Sequence, residues 1–322
     1  PKPSSAASDV YKRQIIISAE RDEYMNYIQG LQNAIDYIEE HLTDDLDIEE
    51  IAAQSGLSAF YFQRIFNILC DYSLGEYIRN RRLTLAGNEL SGTDEKVIDI
   101  ALKYGYDSPE SFSRAFSRFH GITPSQAKKN SSPLKSFSRL SVEIHLKGGN
   151  IMDYKIVKKD AFKVLEKIST QSIDDEQNKN TIPDFWTQSH QDGTVYKLLE
   201  LTTDRTNIFG ICYGNTPNNK KTFEYSIAAV CGDNTEVPDG FSVKEIPART
   251  WAVFECIGPM PDAVQNTWHK ICSEFFPTAN YEPTYEMDIE AYPAGVMTSP
   301  DYRTEISVSY THLRAHETRH DL

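Results

Sequence analysis

The sequence is poor in the residues that mark most chemistry-bearing sites. Its five cysteines (Cys70, Cys212, Cys231, Cys256 and Cys272) are scattered and odd in number, with no Cys-x-x-Cys pair. Such a set disfavours both a disulfide framework and a zinc site, and suits a reducing cytoplasm. No apolar run approaches bilayer-spanning length, and residues 15–17 are too short for a signal-peptide core. A cytoplasmic protein with no membrane partner is therefore expected. No Ser-His-Asp or Cys-His arrangement stands out, and neither a cofactor nor a metal is expected. Positive charge is scarce too: 33 Lys and Arg against 47 Asp and Glu leave a formal charge of −14. Phosphate contacts dominate DNA affinity, so binding to DNA would require that charge to be unevenly placed. It is uneven. Acid is concentrated in residues 44–50 and 174–176, and none occurs from Ser111 to Val142.

What is present begins with residues 105–124, GYDSPESFSRAFSRFHGITP. Ser108 can cap a helix, Pro109 suits its first turn and Gly121 closes it. Phe112, Ala115, Phe116 and Phe119 recur at helical spacing and predict a buried face. Glu110, Ser111, Ser113, Arg114 and Arg118 are left on the outer face, which suits a DNA major groove. Upstream, Asp47 and Glu50 form a capping-box pattern, Ser55-Gly56-Leu57 a turn, and Ser58 a second cap. Phe62, Ile65 and Phe66 then point inward, leaving Phe60, Tyr61, Gln63 and Arg64 outward. Helix, glycine turn and capped helix make a helix-turn-helix. Aligning 62–66 (FQRIF) with 112–116 (FSRAF) exposes an internal repeat of about fifty residues. Between the copies residues 74–90 read as one helix, with Arg79, Arg81 and Arg82 toward its middle, within reach of phosphates.

DIEEIAAQSGLSAFYFQRIF, EYIRNRRLTLA and VIDIALKYGYDSPESFSRAFSRFHGITP together resemble the DNA-binding domain of AraC-type transcription regulators, over about residues 27–129. The resemblance implies two helix-turn-helix units on a rigid linker helix, entering successive major grooves about 34 Å apart. By position it makes Phe60, Gln63 and Arg64 the readers of the first unit, and Glu110, Ser111, Ser113 and Arg114 those of the second. Arg81 and Arg118 are added as DNA contacts.

Residues 131–151 read as a linker, with a strand expected at 141–147. Beyond it a fainter repeat appears. DYKIVKKDAFKVLEKI (153–168) parallels GFSVKEIPARTWAVFECI (240–257), each strand-like with a kink. Each is followed by a helix bearing a tryptophan, Trp186 or Trp268, and then by two strands: 207–213 and 223–231, or 285–292 and 304–308. The order βαββ, used twice, predicts one curved antiparallel sheet with two helices on one face and the other face open to a small molecule. The chain as a whole is thus expected to be all-α in its N-terminal domain, with a double helix-turn-helix, and α+β in its C-terminal domain.

PARTWAVFECIGP, the Trp268 helix, DIEAYPAG and DYRTEI resemble the GyrI-like effector-binding domain, over about residues 152–307. The resemblance implies a pocket whose floor carboxylate meets a cationic or polar organic ligand, with Glu290 and Glu305 in those positions. Trp186, Tyr213, Phe254, Trp268 and Tyr292 are candidate walls. The expected domains are 25–130 and 152–308, joined by the linker. Residues 1–24 and 309–322 are expected to be adaptor-derived sequence foreign to the fold, with the natural start near Met25 and the natural C-terminus lost near Ser307. His312, His316 and His320 recur four apart there, but no cap or buried face accompanies them, so no metal site is expected. The function these features imply is a ligand-responsive transcription regulator, most simply an activator. Its partners would be double-stranded DNA, a small-molecule effector and RNA polymerase. The alternative is a hydrolase of reactive electrophiles using Glu290 or Glu305 as base.

Overall fold

A computed structural model describes residues 28–129, 133–143, 152–172, 178–202, 205–214, 222–277 and 281–312. The expected foreign segment at 1–24, the tail beyond 312 and residues 144–151 lie outside the described residues. The chain divides into two compact units, residues 1–146 and 147–322.

The first unit is built on helices. Helix α1 spans 28–40, and α2 (Ile48–Ser55) and α3 (Ala59–Cys70) form the first helix-turn-helix. Helix α4 (Leu74–Gly92) leads to the second, made of α5 (Val97–Lys103) and α6 (Pro109–His120), with the short α7 (Pro124–Ala127) behind. The sequence signals act where they stand. Ser58 and Ser108 accept from the backbone amides of Tyr61 and Ser111, and Gly56 and Gly121 close α2 and α6 in the left-handed region. The capping box at Asp47 is only half formed. Asp47 accepts from the Glu49 amide, but the Glu50 carboxylate takes the Tyr37 hydroxyl of α1 instead, at 2.9 Å. The core of the second helix-turn-helix gathers Leu83, Leu90, Ile100, Phe112 and Phe116 around α4.

Residues 133–143, expected as linker, are extended but packed on these helices, and 141–143 form no strand. Leu134 joins the core of the second helix-turn-helix, and the Lys135 amide donates to His120 Nδ1 at 3.2 Å. His120 is buried and gives its Nε2 proton to the Leu83 carbonyl at 2.9 Å. Burial holds its imidazole below the ordinary value of 6.5; the bond to Leu83 works the other way, and the charge of Lys135 adds to the depression. The folded chain thus resists a proton that the unfolded chain accepts. Stability of this domain is expected to be complete above pH 6.5 and to fall as the pH drops below it. Chemical denaturation across that range, followed by helical circular dichroism, should show the slope in the parent and not in His120→Gln.

The second unit is one eight-stranded antiparallel sheet with helices. Its strands are β1 (Tyr154–Lys159), β2 (Phe162–Ser172), β3 (Asn207–Tyr213), β4 (Thr222–Cys231), β5 (Ser242–Ile246), β6 (Arg249–Ile257), β7 (Tyr281–Pro293) and β8 (Arg303–His312). Helices α8 (Asn178–Gln191) and α9 (Thr194–Leu201) follow β2, and α10 (Asp262–Lys270), continued by a π-helical turn, follows β6. Each segment expected as one kinked strand is two. The order β1-β6-β8-β7-β3-β4-β2-β5 shows that the first strand of each repeat pairs with the second strand of the other. Exchanging the repeats reverses this order onto itself, so a pseudo-twofold axis passes between β3 and β7. The strand β8, expected to end at 308, runs on to His312, which pairs with Tyr281.

One face of the sheet carries a buried cluster that includes Val164, Ile211, Trp251, Val253, Met287 and Ile289. The other receives the indoles of Trp186 and Trp268, and the polar groups of the site gather there.

Candidate functional site

The DNA-reading side is built on α6. Glu110, Arg114 and Arg118 are four residues apart, which stacks them on one helix face. All three are exposed and bonded to no other described residue. Ser113 is half-buried beside them. Ser111 is drawn into the cap: its hydroxyl donates to the Ser108 carbonyl at 2.9 Å, so it is committed to holding the helix end rather than free to read a base. Gly105, in the turn between α5 and α6, has φ 79°, and a Cβ there would lie 2.6 Å from Arg82 Nη1. Glycine is needed on both counts.

The first helix-turn-helix is less open. Phe60 and Tyr61, expected outward, are buried and meet edge to face at 5.3 Å. Helix α3 lies between α2 and α4, so its buried arc is wider than the heptad-like spacing of Phe62, Ile65 and Phe66 implies. Gln63 is half-buried, with its amide donating to the Ala59 carbonyl at 3.3 Å. Arg64 is half-buried where its repeat equivalent Arg114 is exposed. Arg81 does not face outward at all. Its guanidinium grips Glu39 of α1 with two bonds of 2.8 and 2.7 Å and gives a third, of 2.6 Å, to the Phe137 carbonyl. Arg82 is likewise spent within the fold, on the Leu42 and Asp44 carbonyls. The sequence could not separate these arginines from phosphate-binding ones, because their partners lie about forty residues or more away in the chain.

In the second unit, strand register decides the site. Glu290 of β7 stands directly opposite Gly210 of β3, beside the pseudo-twofold axis. Trp268 Nε1 donates to Glu290 Oε1 and the Tyr292 hydroxyl to Glu290 Oε2, both at 2.8 Å. Trp186 meets Tyr292 edge to face at 5.1 Å and gives its indole proton to the Tyr225 hydroxyl at 2.9 Å. The chain of contacts is continuous: Trp268, Glu290, Tyr292, Trp186, Tyr225. Burial pushes the Tyr292 hydroxyl well above its ordinary value, and the Glu290 charge adds to this, so the phenol stays a donor. A Cβ at Gly210 would drive into the Tyr225 hydroxyl, so the lack of a side chain there lets the phenol cross to Trp186.

Tyr225 and Gly210 were missed by sequence reasoning. Their signal is the sheet register itself, which pairs Gly210 with Glu290 and Tyr225 with Cys212. Three expected members do not join the site. Tyr213 lies on the opposite face, where it donates to the buried Glu166 at 2.6 Å and carries the Lys244 ammonium 3.4 Å from its ring centroid. Phe254 is fully buried against Phe275 and Tyr154, as core. Glu305 also faces away, because β8 sets Ile306 rather than Glu305 opposite Glu290. It pairs with Lys155 at 2.6 Å on the surface. Among the described residues no cluster of His, Cys, Asp or Glu could hold a metal, and no helix is long and apolar enough to cross a membrane.

Comparison with known proteins divides the chain in the same way. Residues 44–130 match the helix-turn-helix domain family, and residues 155–309 the integron-associated effector binding protein family. Over 101 residues the chain is 45% identical to the regulatory protein SoxS of Salmonella typhimurium (strain LT2), covering 31% of this chain and 94% of SoxS. It is 46% identical over 89 residues to the HTH-type transcriptional activator AarP of Providencia stuartii, covering 28% of this chain and 66% of AarP. Among solved structures it resembles SAV2435 bound to tetraphenylphosphonium, at 23% identity and a TM-score of 0.45, covering 52% of this chain and 100% of that one.

Proposed function

From the premise that the chain belongs to the AraC-type helix-turn-helix regulators and carries a GyrI-like effector-binding domain, we propose that it is a cytoplasmic activator controlled by a small aromatic cation. The observation that carries the effector class is the bonding of Glu290. Both of its oxygens already accept from neutral donors, Trp268 and Tyr292, which leave its negative charge uncancelled. Both indole protons are also spent, so the half-buried Trp186 offers ring surface rather than a hydrogen bond, while the buried Trp268 holds the carboxylate in place. A delocalised cation, which needs charge and ring faces but few hydrogen-bond partners, suits this arrangement.

On the DNA side, α6 supplies Glu110, Ser113, Arg114 and Arg118, and α3 supplies Gln63 and Arg64. The bare charge of the protein leaves little general attraction for phosphate, so affinity rests on these few side chains. A duplex selected by the parent protein from a randomised library is the reagent. Arg114→Ala is expected to lower affinity for it about tenfold, close to 1.4 kcal/mol, while binding to a scrambled duplex changes little. Unchanged affinity for the selected duplex in a fluorescence-anisotropy titration would sink the assignment. As an activator the protein would meet RNA polymerase at its promoters. The hydrolase reading gains no observation: Glu305 lies on the sheet face opposite Glu290 and pairs with Lys155, and the relatives matched over the first domain are regulators.

A further inference from the structure

The stretch 133–143 has neither helix nor strand, yet side chains from three helices take its backbone amides one after another. Lys135 N–H goes to His120 of α6 at 3.2 Å, and Phe137 N–H to Thr84 of α4 at 2.9 Å. Leu140 N–H goes to Tyr77 of α4 at 3.1 Å, and Val142 N–H to Gln32 of α1 at 2.7 Å. The Phe137 carbonyl takes Arg81, and Arg139 pairs with Asp36 of α1 at 2.6 Å. The side chains follow the same course. Leu134 sits in the core of the second helix-turn-helix unit. The Phe137 ring packs between Tyr72 and Tyr77, at 5.6 and 6.0 Å.

The segment therefore runs the length of α4 from α6 to α1 and is bonded at both ends. Both helix-turn-helix units pack on α4. A long helix can curve gently, and any looseness between the two readers it carries weakens simultaneous entry into two grooves. A second tie, joined to α4 at its middle, removes that looseness before DNA arrives.

We propose that residues 133–143 are a brace that sets the mutual placement of α3 and α6, and with it the spacing of half-sites that the protein accepts. The residues of the brace are positioning residues and touch no DNA. The inference rests on the two-reader mode of DNA binding. If the parent showed no preference for its selected duplex over a scrambled one, it is that mode which would fail.

The test uses the full chain and three duplexes: the selected two-half-site duplex, the same with one base pair inserted between half-sites, and one half-site alone. Leu134→Ala/Phe137→Ala is expected to bind the first about tenfold more weakly, to keep its half-site affinity, and to lose most of the penalty for the inserted base pair. Phe137→Tyr, which keeps the ring, should restore the parent's spacing preference. Equal losses on the full and half sites, or an unchanged penalty for the insertion, would overturn the proposal. Should the double variant fail to fold, Thr84→Val and Arg139→Ala cut ties without emptying the core. Their relaxed spacing preference supports the brace, and a parent-like preference in both refutes it.

Discussion

Arg81→Ala is expected to destabilise the DNA-binding domain by about 3–5 kcal/mol, a large share of what a single domain possesses. The side chains of Arg81 and Glu39 are only 12% and 7% exposed, so removing the cation strands a carboxylate in a poorly solvated place. It also leaves the Phe137 carbonyl without its donor. Among the described residues Glu39 then keeps the Tyr77 hydroxyl, at 2.7 Å, as its hydrogen-bond donor. The measurement separates cleanly by probe. All three tryptophans (Trp186, Trp251, Trp268) lie in the second domain, so fluorescence should melt as in the parent while helical circular dichroism loses its first-domain part early. Arg81→Lys retains the charge but not the fork, and should recover part of the loss. Acid acts on the same pair. Burial raises the Glu39 carboxyl, but the bonds from Arg81 and Tyr77 outweigh it and hold it below 4.5. Its contribution is present above that pH, is lost as pH falls below it, and should be absent from the variant. Normal melting with uniformly weaker DNA binding would instead make Arg81 the phosphate contact that its place on the linker helix suggested.

Glu290→Gln is expected to weaken binding of tetraphenylphosphonium, used as a probe cation, about thirtyfold, close to 2 kcal/mol, with the fold intact. The amide keeps the shape of the carboxylate and still accepts from the Trp268 indole, so the aromatic walls stay in place. Only the charge is lost. Quenching of tryptophan emission reports the titration, since Trp268 donates directly to Glu290 and Trp186 meets it through Tyr292. An uncharged aromatic of similar size should bind parent and variant alike. Equal affinity of the two proteins for the cation would remove Glu290 from the site, and loss of binding for both ligands would make its role structural. Glu305→Gln, altering a residue paired with Lys155 on the opposite face, serves as the control with no expected effect.

Much of the helical domain was legible because its signals are local. A cap, a glycine turn and an apolar stripe act within a few residues, so Ser58, Ser108, Gly56 and Gly121 could be read directly, as could the repeat they form. The exposed stripe of α6 followed from helical periodicity alone. The duplication of the second domain was legible for the same reason, since each βαββ unit carries its own strand and helix patterns.

What the sequence could not determine was anything resting on a partner far along the chain. Arg81, Arg82 and Arg114 are the same residue type on similar helices, and only the packing of α1 and residues 133–143 against α4 makes the first two structural. Residues 133–143 have the composition of a linker, and their order comes from side chains of three helices rather than from any propensity of their own. In the sheet, a strand's alternation shows which residues share a face but not which face meets which helix. Registering β7 against β3 and β8 sends Glu290 to the helices and Glu305 away, and seats Gly210 where Tyr225 must pass. The sequence by itself thus determined the domains' secondary elements and their repeats, whose causes lie within a turn or two of chain. Tertiary structure alone decided which charges are free to act, because burial and partnership are properties of distant neighbours.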